Sequence, residues 1–178
     1  MATQKTGRAP SQTIGPFFHN GLKWQETTVL SVDGAQPNTT LFGKLTDGEH
    51  NPVTDAMIEF YAPTFATGTN SLHRPHGLAR CATDRNGIYR LHFTMPEAIE
   101  PATPPHLHVM IFARGLLTPL YTHVYFADSV DQLANCAVVR ALKPKARAQT
   151  LLATKDKSAY SWSIRLQGEG ETVFLTRH

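Results

Sequence analysis

Apolar and polar residues alternate in short runs along most of this chain, and the runs break at turn-forming residues, the period-two pattern of half-buried β-strands. The first run covers residues 39–46 and stops at Asp47-Gly48. A turn over 47–52 leads into residues 53–61, where Ala56, Ile58 and Phe60 share one face and Met57, Glu59 and Tyr61 the other. Runs at 78–83 and 88–94 flank Asp84-Arg85-Asn86-Gly87, and an Asn-Gly pair between two such runs predicts a hairpin. In residues 106–113, His106, His108, Met110 and Phe112 fall on one face and Leu107, Val109, Ile111 and Ala113 on the other. Both faces are largely apolar, which predicts a central strand covered on both sides.

A strand over 120–126 follows. Residues 129–142 read as a helix, with Ser129 at the N-cap, Asp131 in the first turn and Pro144 as the stop. Residues 145–153 read as a second short helix. In 159–167, Tyr160, Trp162, Ile164 and Leu166 face inward against Ser161, Ser163, Arg165 and Gln167, and 171–175 close the chain. About eight strands with one or two short helices near the C-terminus predict an all-β fold, a two-sheet β-sandwich. Two loops stand out, 62–77 with small and polar residues and 97–105 with three prolines. Loops on a rigid sandwich are where binding groups tend to sit.

With 178 residues, 41% hydrophobic and 17% charged, the chain is expected to be one globular domain spanning 1–178 with an N-terminal arm at about 1–20. The net charge of +3 is spread out; the local cluster Lys143, Lys145 and Arg147 reads as a solvated face, so no nucleic-acid partner is expected. Cys81 and Cys136 supply neither a disulfide framework nor a zinc ligand set. Residues 1–10 are polar and do not read as a signal peptide, and no run has the length of a membrane span. A cytoplasmic protein without a membrane partner is expected.

The stretch Pro104-Pro105-His106-Leu107-His108 carries the most chemistry. Two histidines two apart on a strand share a face, and imidazole suits iron, zinc, copper and nickel. Two ligands do not make a site; His123, His73, His76 or His92 could supply a third. Hydrogen-bonded histidines of a buried strand explain the same spacing. The five tyrosines sit within or at the end of strand patterns and read as packed aromatics with hydroxyls at the rim. There is no Gly-x-Ser-x-Gly, no phosphate-binding glycine loop and no Cys–His pair at a telling spacing; Gly168-Glu169-Gly170-Glu171 reads as a turn.

Several motifs in order resemble one family. They are Ser11-Gln12-Thr13-Ile14-Gly15-Pro16-Phe17-Phe18-His19, Pro105-His106-Leu107-His108 with Phe112-Ala113-Arg114-Gly115, Tyr125-Phe126-Ala127-Asp128, and Arg165-Leu166-Gln167-Gly168-Glu169-Gly170-Glu171-Thr172-Val173-Phe174. Together they resemble the intradiol ring-cleaving dioxygenases, and within them the α-type chains that accompany a catalytic β chain. The resemblance implies a ferric ion (Fe3+) held in the β chain by two tyrosines and two histidines, the latter in a His-x-His that matches His106 and His108. The loops that carry the family's ligand tyrosines match 96–101 and 62–77, and neither contains a tyrosine here. The pair His106 and His108 then reads as a remnant of gene duplication, with no catalytic residue and no metal ligand in this chain.

The implied partner is a homologous catalytic β chain in an α/β hetero-oligomer. The implied substrates are a catechol acid, protocatechuate, and O2, giving 3-carboxy-cis,cis-muconate in the β-ketoadipate route. The N-terminal loop of the α-type chain covers that site, which puts Thr13, Ile14, Gly15 and Pro16 at the substrate. Arg114 matches an arginine at the entrance, where a guanidinium would attract or pair with the carboxylate; an interface salt bridge is the competing role. Two other readings stay open: a self-sufficient metal-dependent dioxygenase using His106 and His108, and a non-enzymatic β-sandwich binding module. Large apolar groups such as Tyr160 and Trp162, with two open loops, suggest a surface built for a partner, so the chain alone is expected to self-associate.

Overall fold

The computed structural model describes residues 28–31, 36–65, 77–100 and 102–176. Ten strands form among the described residues: β1 (Val29–Leu30), β2 (Thr39–Thr46), β3 (Met57–Tyr61), β4 (Leu78–Ala82), β5 (Ile88–Phe93), β6 (His106–Phe112), β7 (Leu120–Tyr125), β8 (Thr154–Asp156), β9 (Ala159–Ser161) and β10 (Ile164–Arg165). They build two sheets, one ordered β1-β5-β2-β9-β8 with β10 also on β2, the other ordered β4-β3-β6-β7. The all-β two-sheet architecture read from the alternation is therefore the one observed.

Between the sheets lies one core. Leu41, Leu45, Tyr89, Leu91 and Phe93 face it from the first sheet, and Ile58, Phe60, Cys81, Leu107, Val109 and Ile111 from the second. The rings of Phe60 and Tyr89 meet across the gap at 5.7 Å between centroids. Each fully buried Leu, Ile or Phe contributes roughly 1.5–3 kcal/mol of hydrophobic stabilisation. Tyr89 departs from the sequence expectation for tyrosines: it is buried, and its hydroxyl donates to the Trp162 carbonyl inside the protein.

The Asn-Gly signal gives a turn but no hairpin. Asp84 closes it by accepting the N–H groups of Asn86 and Ile88 at 2.8 Å each, and Gly87 takes a φ of 73°. Beyond the turn the strands part: β4 pairs with β3 and β5 with β2. The turn is thus an arch between sheets, which lets both flanking strands bury their apolar faces in one core.

The helix expected over 129–142 is two shorter pieces, a 3-10 helix at Val130–Leu133 and α1 at Ala137–Ala141. Leu133, Cys136 and Val139 are its buried anchors, and the Cys136 N–H donates to the Leu133 carbonyl at 2.9 Å where the two pieces part. Ser129 makes no side-chain cap; the Gln132 side chain accepts the Asp128 N–H instead. A further 3-10 helix, Lys145–Leu151, packs with these pieces against Tyr125 and Val173 in a second small core. No helix among the described residues is long and apolar enough to cross a membrane.

The inward face expected over 159–167 is present, but the strand breaks at Trp162-Ser163. Trp162 is buried, and its indole N–H donates to the Thr150 carbonyl at 2.8 Å, so it is no part of an exposed partner surface. The break is tied to Gly43 in β2. The Trp162 N–H donates to the Phe42 carbonyl at 2.8 Å, and a Cβ on Gly43 would overlap the Trp162 carbonyl. Backbone cannot yield as a flexible side chain would. Gly43→Ala is expected to destabilise the protein by about 2–3 kcal/mol or more, read as a lower urea midpoint with an unchanged slope; a midpoint equal to wild type would show that the contact relaxes freely.

Candidate functional site

Strand β6 sits between β3 and β7 in the second sheet. Its even-numbered residues point away from the core, and only that face is less than fully covered: Leu107, Val109 and Ile111 are at 0–2% exposure while His108, Met110 and Phe112 are half-buried. The sequence expectation of cover on both sides is therefore correct for one face and partial for the other. Antiparallel pairing places His108 opposite His123 and His106 opposite Tyr125. Directly opposed side chains on one face lie about 5 Å apart, so register alone brings the third histidine to the first two.

The imidazole rings of His106, His108 and His123 form a triangle. Centroid separations are 5.4 Å for His106–His108, 5.3 Å for His106–His123 and 4.3 Å for His108–His123, the last pair stacked within 10° of parallel. One ring nitrogen from each lies within 4.8 Å of the others. His106 Nδ1 is 3.1 Å from the Pro104 carbonyl, which can only accept, so Nδ1 carries the proton and Nε2 the lone pair. His123 Nδ1 is 3.2 Å from the Tyr125 hydroxyl. Of the third-ligand alternatives, His123 joins the pair, His92 bonds Thr40 on the other sheet, and His73 and His76 lie outside the described residues.

Burial lowers the pKa of all three rings. His123 is pushed furthest, to about 3, by desolvation and then by His108 and His106. Burial lowers His108, with His106 adding repulsion, and burial lowers His106 against the opposing pull of its Pro104 hydrogen bond. All three are neutral at pH 7 and can offer lone pairs. Burial also raises the Tyr125 hydroxyl, which stays a phenol.

A cavity of about 400 Å3 opens on this face, lined by Tyr61, His108, Met110, Tyr121, His123 and Leu175, among others. The C-terminal segment forms its rim. Thr122 Oγ1 donates to the Val173 carbonyl at 2.7 Å, and the Leu175 N–H donates to the Tyr121 carbonyl at 2.7 Å, so 172–176 lies along β7.

Arg114 is not among the residues that line this cavity. Arg114 stands past the far end of β6, its side chain 81% exposed and ion-paired with Asp55. Thr13, Ile14, Gly15 and Pro16 lie outside the described residues.

A family model described as Dioxygenase matches residues 13–168. The chain belongs to the intradiol ring-cleaving dioxygenase family. It is 30% identical to the protocatechuate 3,4-dioxygenase alpha chain of Pseudomonas putida over 98% of this chain and 99% of that one. Identity to the alpha chain from Burkholderia cepacia is 33% over the same shares. Among solved structures, the dioxygenase domain of a carbohydrate-binding fusion protein from Streptomyces sp. SirexAA-E has the same fold at a TM-score of 0.54 and 20% identity, covering 89% of this chain and 97% of that one. 3-Chlorocatechol 1,2-dioxygenase from Rhodococcus opacus 1CP matches at a TM-score of 0.55 and 20% identity, over 77% of this chain and 63% of that one.

Intradiol dioxygenases are iron enzymes, and the ferric set implied by the sequence resemblance has two phenolates and two imidazoles. The groups that meet here are three imidazoles. The loops that match the family's tyrosine positions, 96–101 and 62–77, contain no tyrosine, and the Tyr125 hydroxyl is hydrogen-bonded to His123 Nδ1. The cluster does not fit a two-phenolate ferric site.

The depressed pKa values carry a sign. An unfolded histidine binds a proton near pH 6.5, whereas folded His123 refuses it until about pH 3. The unfolded state therefore holds more protons across that window, and stability falls as pH drops from about 6.5 toward 3. In chelator-treated protein, His123→Gln is expected to remove the largest share of this loss, a few kcal/mol at most. Urea midpoints at pH 7 and pH 4 measure it; an equal acid loss in the variant would assign the effect elsewhere.

Proposed function

We propose that this chain is the non-catalytic α-type subunit of a protocatechuate 3,4-dioxygenase, paired with a homologous catalytic β-type chain in an α/β hetero-oligomer. The observation that carries the reading is the match to two protocatechuate 3,4-dioxygenase alpha chains over 98% of this chain. The misfit between the histidine cluster and a two-phenolate ferric site supports it further. In this reading Fe3+ and its ligands belong to the partner. The assembled enzyme converts protocatechuate and O2 to 3-carboxy-cis,cis-muconate in the β-ketoadipate route. Both cysteines are free and buried, which suits a reducing, cytoplasmic setting.

This chain's own residues shape and cover the partner's pocket. Thr13, Ile14, Gly15 and Pro16 approach the substrate from the N-terminal arm, where Gly-Pro backbone allows a close, pre-set approach. Arg114 offers its exposed guanidinium to the substrate carboxylate. Asp55 holds that group in place and leaves N–H donors free, since a guanidinium carries five.

Co-expression with the catalytic chain tests the assignment. With His106→Ala and His108→Ala combined, the assembled complex is expected to keep its iron content and its turnover. Loss of both from a complex that still assembles would establish the self-sufficient metalloenzyme, the reading that the arrival of His123 beside the pair favours.

For Arg114→Ala, an increase of about tenfold in KM for the catechol acid with little change in kcat is expected, matching loss of one charge-assisted contact, and Arg114→Lys should recover part of it. An unchanged KM with weakened assembly would assign Arg114 to the interface.

A further inference from the structure

We propose that His106, His108 and His123 form a three-imidazole site for one divalent cation of the borderline class, Zn2+ foremost, with its open coordination position facing the cavity at His108 and His123. The proposal concerns this chain alone and is independent of the subunit reading.

The donor set decides the class of ion. Neutral imidazole nitrogens suit zinc, copper, nickel and ferrous iron, whereas Ca2+ and Mg2+ take oxygen ligands. Two imidazoles from a His-x-His on β6 and one from the neighbouring β7 are held by strands rather than loops, which fixes their spacing. Ring nitrogens within 4.8 Å of one another are close to the separation a shared ion needs, about 3.3 Å for zinc–nitrogen bonds of about 2.05 Å in tetrahedral geometry. Binding of one ion would draw the three nitrogens together by side-chain rotation. It would also break the 4.3 Å parallel stack of His108 on His123, an arrangement suited to two neutral rings without an ion.

A second, separate observation points to a ligand. Metal-bound histidines hand their other ring nitrogen to a carbonyl, carboxylate or hydroxyl, which fixes the tautomer and aims the lone pair. His106 Nδ1 donates to the Pro104 carbonyl, leaving Nε2 as the free donor atom. His123 Nδ1 meets the Tyr125 hydroxyl, which can accept from it when Nε2 is engaged by an ion. Burial alone calls for a hydrogen-bond partner; here the partners engage Nδ1 of two rings, which leaves Nε2 of each as the remaining donor atom. Three protein ligands with a fourth position open to a cavity is also the arrangement of zinc sites that bind water or an exogenous group.

The test is direct metal binding. The full chain, stripped with chelator, is dialysed against Zn2+, and metal per chain is measured by elemental analysis. The same measurement on the assembled complex separates zinc from the partner's iron by element. One Zn2+ per chain is expected. His123→Gln is expected to weaken binding by about 100-fold or more, and His92→Gln, on the other sheet, to leave it unchanged. Sub-stoichiometric binding, or binding that survives both His123→Gln and His106→Gln, would overturn the site. Co2+ loading of wild-type protein needs no variant: an intense four-coordinate ligand-field spectrum supports the site, and a weak spectrum like that of hydrated Co2+ overturns it. Because neither readout uses dioxygenase activity, failure here leaves the subunit assignment standing, and failure of that assignment leaves the metal measurement intact.

Discussion

The phase of strand β6 governs the rest of the molecule's chemistry. Leu107, Val109 and Ile111 are fully committed to the core. Because side chains alternate, that commitment sends His106, His108 and Met110 to the opposite face. A slip of one residue would drive two imidazoles into an apolar core and expose three aliphatic side chains. Each of those contributes roughly 1.5–3 kcal/mol by staying buried, and a buried polar ring without a partner adds a penalty of similar size. The slip is closed off by energetics on both faces at once. Pairing with β7 then follows, and that pairing, more than any local motif, puts His123 against His108.

A sheet face that carries three neutral imidazoles is a departure from ordinary packing. Apolar side chains would cover β6 and β7 more cheaply, since each desolvated histidine gives up proton binding that an unfolded chain retains. The surrounding structure compensates locally. The Pro104 carbonyl accepts a hydrogen bond from His106 Nδ1, Tyr125 meets His123, and the 172–176 segment lies along β7 and rims the cavity. Departures of this kind, supported by outer hydrogen bonds, tend to mark functional positions.

Much of this was legible in the alternation of residues, and the exceptions have physical causes. β2 was readable from its alternation about a core face and β6 from a short run apolar on both faces, and the His106–His108 spacing read directly as a shared face. The Asn-Gly turn at 84–87 formed as its local chemistry requires, yet its flanking strands joined different sheets. Local sequence fixes the turn, but partner strands far along the chain fix the pairing. The helix at 129–142 is broken at Cys136, whose extended backbone (φ −65°, ψ 133°) caps α1; the three-residue spacing of Leu133, Cys136 and Val139 is helical and carries no signal of that break. Gly43 shows a third limit. Nothing near it in sequence signals that the Trp162 backbone, more than a hundred residues later, will lie against it. His123 was one of four histidines that could complete the pair, and only interstrand register separates it from the rest.

The same strand serves two ends of the molecule. His108 opens on the cavity, while Arg114 lies past the far end of β6, about 20 Å away at roughly 3.3 Å per residue. Asp55 pins Arg114 at the surface, and no cluster residue touches either. Groups separated this far without shared partners act nearly independently. A partner's pocket served by Arg114 and a cavity served by the histidines therefore need not be one site. The family scaffold allows this because the sandwich core, and not the site chemistry, holds the fold together. In the subunit reading proposed above the ferric ion belongs to the partner chain, so the histidine face of this chain is free of that ligand set, while the buried residues beneath it keep its geometry. Such a face can carry a third imidazole in place of phenolate donors without disturbing the strand order beneath it.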